Sequence, residues 1–484
     1  MDADIQAAVW DRVLKLPMAF FKKYSAGDLA VRINGVNTIR QQLSGATVTS
    51  ILTGIFSGFN FALLFYYSIP LAFLASILVL VAIVITLTLG YLKLRYDRQL
   101  TEVMGRISGM VLQHLHGIAK LKVSGAETRA FANWAKDFAL QEKLSFKSGT
   151  VQNLAEAIFS TLPLLMSIII FAAIATLTLK QQGAVMTTGE FIAFNSAFGS
   201  FLYASLQLSS TIFSVLNLIP IYERAKPILQ TLPEGDQLTV DPGELSGGIE
   251  VANVSFFYTQ DGPATLDNLS IMVAPGEFVA IVGPSGSGKS TLIRQLLGFE
   301  KPASGAIYYD GKNLADLDLR AVRRQFGVVL QNGQLLTGDI FTNIVGSSSL
   351  THEDAWEAVR LCGLEEDIKA MPMGMFTMVS EGSSTISGGQ RQRILIARAI
   401  VHRPRILLFD EATSALDNRT QSVVSKSLEQ LKATRIVIAH RLSTIINADR
   451  ILVMHEGKIV QQGKYEELLN VEGPFKKLAW RQIA

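Results

Sequence analysis

From Glu277 to Leu297 the chain reads EFVAIVGPSGSGKSTLIRQLL. A hydrophobic strand runs into Gly283-Pro284-Ser285-Gly286-Ser287-Gly288-Lys289-Ser290, which matches the phosphate-loop pattern in full, and a helix follows through Thr291. Glycines at these positions let successive backbone N–H groups turn inward as an anion nest at a helix N-terminus. In that nest Lys289 reaches the β- and γ-phosphates of a nucleotide and the Ser290 hydroxyl ligates Mg²⁺. Strand-like runs at 277–282, 325–330, 405–409 and 435–439 alternate around the loop with helix-like stretches at 289–297, 351–361 and 388–401. That alternation predicts an α/β domain with a mostly parallel, buried sheet over residues 249–484. A capping box is expected where Thr351 meets Asp354.

Two further segments carry chemistry. ILLFD at 406–410 is an apolar strand ending in a carboxylate, so Asp410 is expected to contact Mg²⁺. Glu411 beside it is not needed by the metal and is the candidate general base for water, the alternative being an acid paired with a helix dipole. Ser387-Gly388-Gly389-Gln390-Arg391-Gln392 opens a helix and offers a second anion site. Since one phosphate loop already holds a triphosphate, this second site is expected to serve the nucleotide of another copy, in a head-to-tail dimer with two composite sites.

Upstream the character changes. The 484 residues are 49% hydrophobic and 18% charged, too apolar for an ordinary soluble protein. With 44 Lys/Arg against 41 Asp/Glu there is no basic field for nucleic acid. The single cysteine, Cys362, excludes an internal disulfide framework or Cys-rich metal site and is expected in the core. No charge occurs between Arg40 and Lys93, and Tyr67-Ser68-Ile69-Pro70 breaks that run in two. With the charge-free runs at 157–179 and 191–222, this gives four expected membrane spans, about 48–66, 71–89, 157–179 and 191–219. The 91–149 connection carries ten Lys/Arg against five Asp/Glu and is therefore placed in the cytoplasm. The patterns at 7–21 and 95–146 suit helices continuing out of the membrane. Residues 1–222 form the expected membrane domain and 223–248 the linker, in which 223–232 looks like a last amphipathic turn or two and the stretch from Pro233 to Gly248 is turn-rich.

The soluble half resembles the nucleotide-binding domain of the ABC transporter superfamily. Tyr258 stands where that family has the aromatic that stacks on adenine, and Gln331, in VVLQ, where it has the glutamine that touches Mg²⁺. Ile386 replaces the usual leucine before Ser-Gly-Gly-Gln, SALD at 414–417 resembles the D-loop with Asp417, and His440 resembles the switch histidine that contacts the γ-phosphate. The resemblance implies ATP hydrolysis with Mg²⁺ and a partner that is a second copy or a related half-transporter. The membrane half resembles an exporter, with 20–29 and 125–131 similar to its coupling segments. Exporters of this type have six helices per half, so two helices are expected ahead of Met1. A narrower likeness, in Trp10-Asp11-Arg12, Leu16-Pro17, 26–32, 117–121, 371–375 and 380–382, is to the permease/ATPase subunit of NHLP-type bacteriocin exporters. It implies a peptide cargo and the bacterial inner membrane. Lipid or drug export and an ATP-gated channel or sensor are the rival readings.

Overall fold

Ser68 breaks the long apolar run because it takes an extended backbone (φ −161°, ψ 112°), while Pro70 falls in the next helix's first turn, where no N–H is needed. The computed structural model describes residues 2–180, 186–216, 218–235, 239–259, 262–379, 386–413, 415–439 and 441–483. The chain divides into two compact units, Met1–Pro233 and Glu234–Ala484.

The first unit is helical: α1 (Asp2–Leu14), α2 (Met18–Phe21), α3 (Ala26–Tyr67), α4 (Ile69–His116), α5 (Ile118–Val123), α6 (Glu127–Lys180), α7 (Thr188–Leu216) and α8 (Ile219–Gln230). At 1.5 Å per residue α3, α4 and α6 are about 60–80 Å long, more than twice a ~30 Å hydrocarbon core, so each joins an apolar run to a charged extension. Among the described residues, α4 and the Glu127–Leu177 part of α6 are each long and apolar enough to cross a membrane, and α7 with α8 adds a third if the bent pair is one span. The expected spans 71–89, 157–179 and 191–219 fall on these helices. The expected span 48–66 lies on α3, where the side chains of 44–52 are outside the described residues. Ala72, Ala75, Val79 and Ala82 form one helical face of α4 and pack with Leu64, Ile170, Phe194 and Phe198.

The stretch 223–230, expected as the start of the linker, is the end of α8 and is tied back onto α3 and α4. The Arg224 guanidinium pairs with the Asp28 carboxylate and donates to the Thr101 carbonyl. Arg32 donates to the Arg224 carbonyl (2.6 Å) and Arg98 bridges Glu223 (2.7 Å). Burial pulls the Arg224 pKa below the usual guanidinium range, against the opposing pull of Asp28. Gly105 makes the approach possible, since a Cβ there would lie 1.9 Å from the guanidinium. Of the two segments likened to coupling elements, 20–29 comprises the end of α2, a turn and the start of α3. The other, 125–131, is the turn after α5 and the start of α6.

The second unit contains β1 (Ile249–Phe256), β2 (Leu266–Val273), β3 (Phe278–Val282), β4 (Ser304–Tyr309), β5 (Lys312–Asn313), β6 (Phe326–Val329), β7 (Gly338–Asp339), β8 (Met378–Val379), β9 (Ile406–Asp410), β10 (Thr434–Ile438), β11 (Arg450–His455) and β12 (Lys458–Gly463). Its helices are α9 (Lys289–Leu296), α10 (Leu319–Arg324), α11 (Ile340–Val345), α12 (His352–Leu361), α13 (Glu365–Lys369), α14 (Gly388–Ile400), α15 (Asn418–Gln430), α16 (Leu442–Ile445), α17 (Tyr465–Asn470) and α18 (Pro474–Ile483). A six-stranded sheet has the order β12-β11-β3-β10-β9-β6, parallel except at β12. Strands β3 and β9 are buried at every residue, as a sheet covered on both faces requires. A separate antiparallel sheet, β2-β1-β4-β5, was not foreseen. The α12 capping box between Thr351 and Asp354 is present, and Cys362 is buried in the core with its thiol pKa pushed up by that burial.

One core residue is out of keeping. Gln295 of α9 is fully buried, and among the described residues neither its amide nitrogen nor its oxygen has a partner. Gln295→Met keeps the length and removes both orphans, so it is expected to stabilise the protein by ~1–3 kcal/mol, read as a raised Tm in detergent. An unchanged or lowered Tm would show that the amide is satisfied.

Candidate functional site

Parallel pairing brings the chemistry to one edge. Ile438 of β10 lies level with Ile281 of β3 on one side and Asp410 of β9 on the other. The loop after β3, the carboxylate ending β9 and the segment after β10 therefore meet at the C-terminal ends of adjacent strands, the usual ligand edge of such sheets. Gln331 enters from β6, the next strand over.

The phosphate loop has the expected shape. Gly283, Gly286 and Gly288 have φ of 152°, 83° and 98°, backbone that L-residues avoid. A Cβ on Gly283 would also lie 2.1 Å from the Met454 carbonyl oxygen. Ser285 and Gly286 are exposed at the tip, while Ser287 and Lys289 are buried. Lys289 Nζ donates to the carbonyls of Gly283 (2.9 Å) and Pro284 (2.8 Å). Burial lowers its pKa, and the nearby carboxylates of Glu411 and Asp410 oppose that shift.

Among the described residues, two buried oxygens here, Ser287 Oγ and Asp410 Oδ1, have no hydrogen-bond partner. Burial raises the Asp410 pKa, a hydrogen bond from Ser290 opposes this, and the neighbouring Glu411 adds to the rise. A buried carboxylate beside a hydroxyl is a hard oxygen donor set, which fits Mg²⁺, and an orphaned hydroxyl in an anion nest fits a phosphate oxygen.

Glu411 is held by its surroundings. Gln331 Nε2 donates to its Oε1 (3.0 Å), and its N–H donates to the Ile438 carbonyl (3.1 Å). It adopts φ +55°, unusual for a residue with a side chain. A turn follows it, and α15 starts only at Asn418, capped by Asp417 through the Thr420 N–H (3.2 Å). No helix begins at Glu411, which removes the helix-dipole explanation for an acid there.

Tyr258 lies over α9. Its hydroxyl is 3.1 Å from Thr291 Oγ1 and accepts from Arg294 (3.0 Å), with its ring edge-on to Phe256 and half exposed. Ser387 caps α14: its hydroxyl accepts from the Gln390 N–H (3.2 Å), and Gln390 Oε1 accepts from the Ser387 N–H (3.0 Å). Gln390 Nε2 reaches Asp367 (2.9 Å), which also pairs with Arg393 (2.9 Å). Gly388 and Gly389 form the first turn of α14, and Ile386 before them is buried in the core. Among the described residues, no side-chain hydrogen bond joins 387–390 to the phosphate loop, so the fold gathers two groups: Lys289, Ser290, Gln331, Asp410 and Glu411 in one, 387–390 in the other. His440, Ser414 and the 380–382 stretch lie outside the described residues. Sequence reading assigned no role to Asp367 or Gln392. Gln392 stands in plain view two residues past Gln390, but its contacts are made across the fold.

Comparison with known proteins accounts for both halves. Residues 1–206 match the ABC transporter transmembrane region, and residues 266–414 match the ABC transporter family. The chain is 33% identical to the leukotoxin export ATP-binding protein LtxB of Aggregatibacter actinomycetemcomitans, over 98% of this chain and 67% of that protein. It is 34% identical to the alpha-hemolysin translocation ATP-binding protein HlyB of Escherichia coli, over 97% of this chain and 66% of that protein. It thus spans about two thirds of the length of these relatives. The structure of a bacterial Atm1-family ABC exporter with ATP bound superposes with a TM-score of 0.89 at 27% identity, covering all of this chain and 86% of that one. The chain accordingly belongs to the ABC transporter family, as an exporter-type membrane subunit in which a helical transmembrane region precedes a cytoplasmic α/β ATPase domain.

Proposed function

We propose that two copies of this chain form an ATP-driven exporter of a ribosomally made peptide, a bacteriocin precursor or product being the narrower reading. The gathering of Lys289, Ser290, Gln331, Asp410 and Glu411 at one strand edge supports the hydrolytic half. The relatives named for leukotoxin export and alpha-hemolysin translocation support a polypeptide cargo, and the local likenesses at 10–12, 16–17, 26–32, 117–121, 371–375 and 380–382 support the bacteriocin reading. In this scheme α3, α4, α6 and α7 are the four spans, and 20–29 and 125–131 carry motion between the domains.

Nucleotide phosphates are held by the N–H groups of 285–288 and by Lys289, which leaves its two carbonyl partners to do so. Mg²⁺ would be held by Ser290, Gln331 and Asp410 and would supply charge neutralisation to the bound phosphates. Tyr258 packs against the adenine, and His440 contacts the γ-phosphate. Glu411 takes a proton from the attacking water while Gln331 fixes its carboxylate. Residues 387–390 and Asp417 face the nucleotide of the partner, so closure of the pair completes both sites.

The test is ATP-dependent accumulation of a labelled precursor peptide in inside-out vesicles, wild type beside Glu411→Gln. Uptake by the wild type alone supports the reading. ATP turnover stimulated by lipid or drug, with no peptide accumulation, would move the cargo to those compounds, and ion flux without hydrolysis would replace the exporter by a channel.

A further inference from the structure

Gln392 lies in α14, and its side-chain amide crosses to the turn that follows β9. Nε2 donates to the backbone carbonyl of Glu411 (3.0 Å), and Oε1 accepts from the N–H of Ala415 (2.7 Å). One planar amide thus ties down both ends of the segment 411–415. That segment needs holding. It begins with a side-chain-bearing residue at φ +55°, a left-handed conformation that costs on the order of 1–2 kcal/mol and persists only where the surroundings impose it. The Glu411 N–H is fixed by β10 and its carboxylate by Gln331, while Gln392 fixes its carbonyl. Within the segment Ala412 is buried, and the Thr413 carbonyl accepts from the N–H of Leu416 just beyond it (3.1 Å). Helix α14 is itself a firm base for the amide, locked at its N-terminus by the Ser387–Gln390 capping box and by Asp367.

We propose that Gln392 is a positioning residue for ATP hydrolysis: by clamping the two ends of 411–415 it aims the Glu411 carboxylate at the attacking water. The proposal rests on the reading of Glu411 as the general base. It acts through the Glu411 backbone and not on nucleotide, so it governs the chemical step and leaves binding alone.

Two variants test it in the full-length protein. Gln392→Met keeps the length and removes donor and acceptor together. Its kcat for ATP is expected to fall about tenfold or more, the scale on which misplacing a reacting group acts, with KM for ATP within error of wild type. Gln392→Glu keeps an acceptor for Ala415 but at neutral pH faces the Glu411 carbonyl with a carboxylate in place of a donor. Protonation restores the donor, so kcat of this variant, as a ratio to wild type at each pH, is expected to rise as pH falls, whereas the Met variant's ratio stays flat. A Met variant with wild-type kcat overturns the proposal, as does a raised KM at unchanged kcat or a flat ratio for the Glu variant. Glu411→Gln assayed alongside keeps the two readings apart. If Glu411→Gln turns over normally, the base itself is misassigned; if it is inactive while both Gln392 variants are normal, only the clamp fails.

Discussion

Replacing Glu411 by glutamine is expected to lower kcat for ATP hydrolysis by about 10²–10⁴-fold, the usual worth of a positioned general base, while ATP still binds. The substitution is close to a single-atom change in a site whose geometry does not depend on the charge. Left-handed backbone at 411 costs glutamine what it costs glutamate, the N–H to Ile438 and the carbonyl to Gln392 are main-chain contacts, and an amide oxygen accepts from Gln331 as the carboxylate does. What disappears is the capacity to take a proton from water. One side effect follows from the electrostatics: Glu411 is the larger of the two carboxylate influences holding the Lys289 pKa up against burial, so the variant's Lys289 shifts further down. Even so, Asp410 remains beside it, and the cost to phosphate binding is expected to be small. Equilibrium binding of a fluorescent ATP analogue and steady-state phosphate release, measured on the same preparation, separate the two functions. Turnover within about twofold of wild type would remove Glu411 as the base; loss of binding together with turnover would make it a structural acid.

How much of this was legible in the chain itself follows from whether the signal is local. The phosphate loop, its strand and its helix are contiguous, and β3, β6, β9, β10, α9, α12 and α14 fall within a residue or two of where composition and periodicity place them. Buried parallel strands announce themselves as unbroken apolar runs. The antiparallel sheet β2-β1-β4-β5 does not: β1 alternates only partly, and register shifts interrupt its pairing with both neighbours, so no clean period survives. Residues 223–230 read as amphipathic turns opening the linker, and they are helical, but their polar side chains are spent on α3 and α4, as with Arg224 on Asp28, a contact between segments far apart in the chain. The same limit hid Gln392. A glutamine on a helix carries no mark of the turn it will hold, whereas Asp410 could be singled out because a carboxylate ending an apolar strand is anomalous in its own sequence neighbourhood.

That anomaly has a thermodynamic consequence. Asp410→Asn is expected to cost Mg²⁺-dependent hydrolysis about 10–100-fold, the range seen when a partner of a bound metal is lost, and at the same time to stabilise the nucleotide-free protein. At neutral pH the wild type carries a buried carboxylate whose Oδ1 has no partner among the described residues and whose pKa is raised, first by burial. A carboxyl that binds its proton more tightly folded than unfolded lowers stability at high pH. That penalty fades as pH falls through the raised folded pKa and is gone below the unfolded value near ~3.9. Asparagine is neutral throughout, so the variant should lose this pH dependence and gain ~1–3 kcal/mol at pH 7. The Tm difference between variant and wild type should therefore be positive at pH 7, shrink toward acid, and reverse sign when saturating Mg²⁺ and nucleotide are added, because only the wild type then gains from the charge. If the two proteins melt together at pH 7 in the absence of nucleotide, the carboxylate is satisfied within the protein, and the argument that it is kept charged for a cation fails.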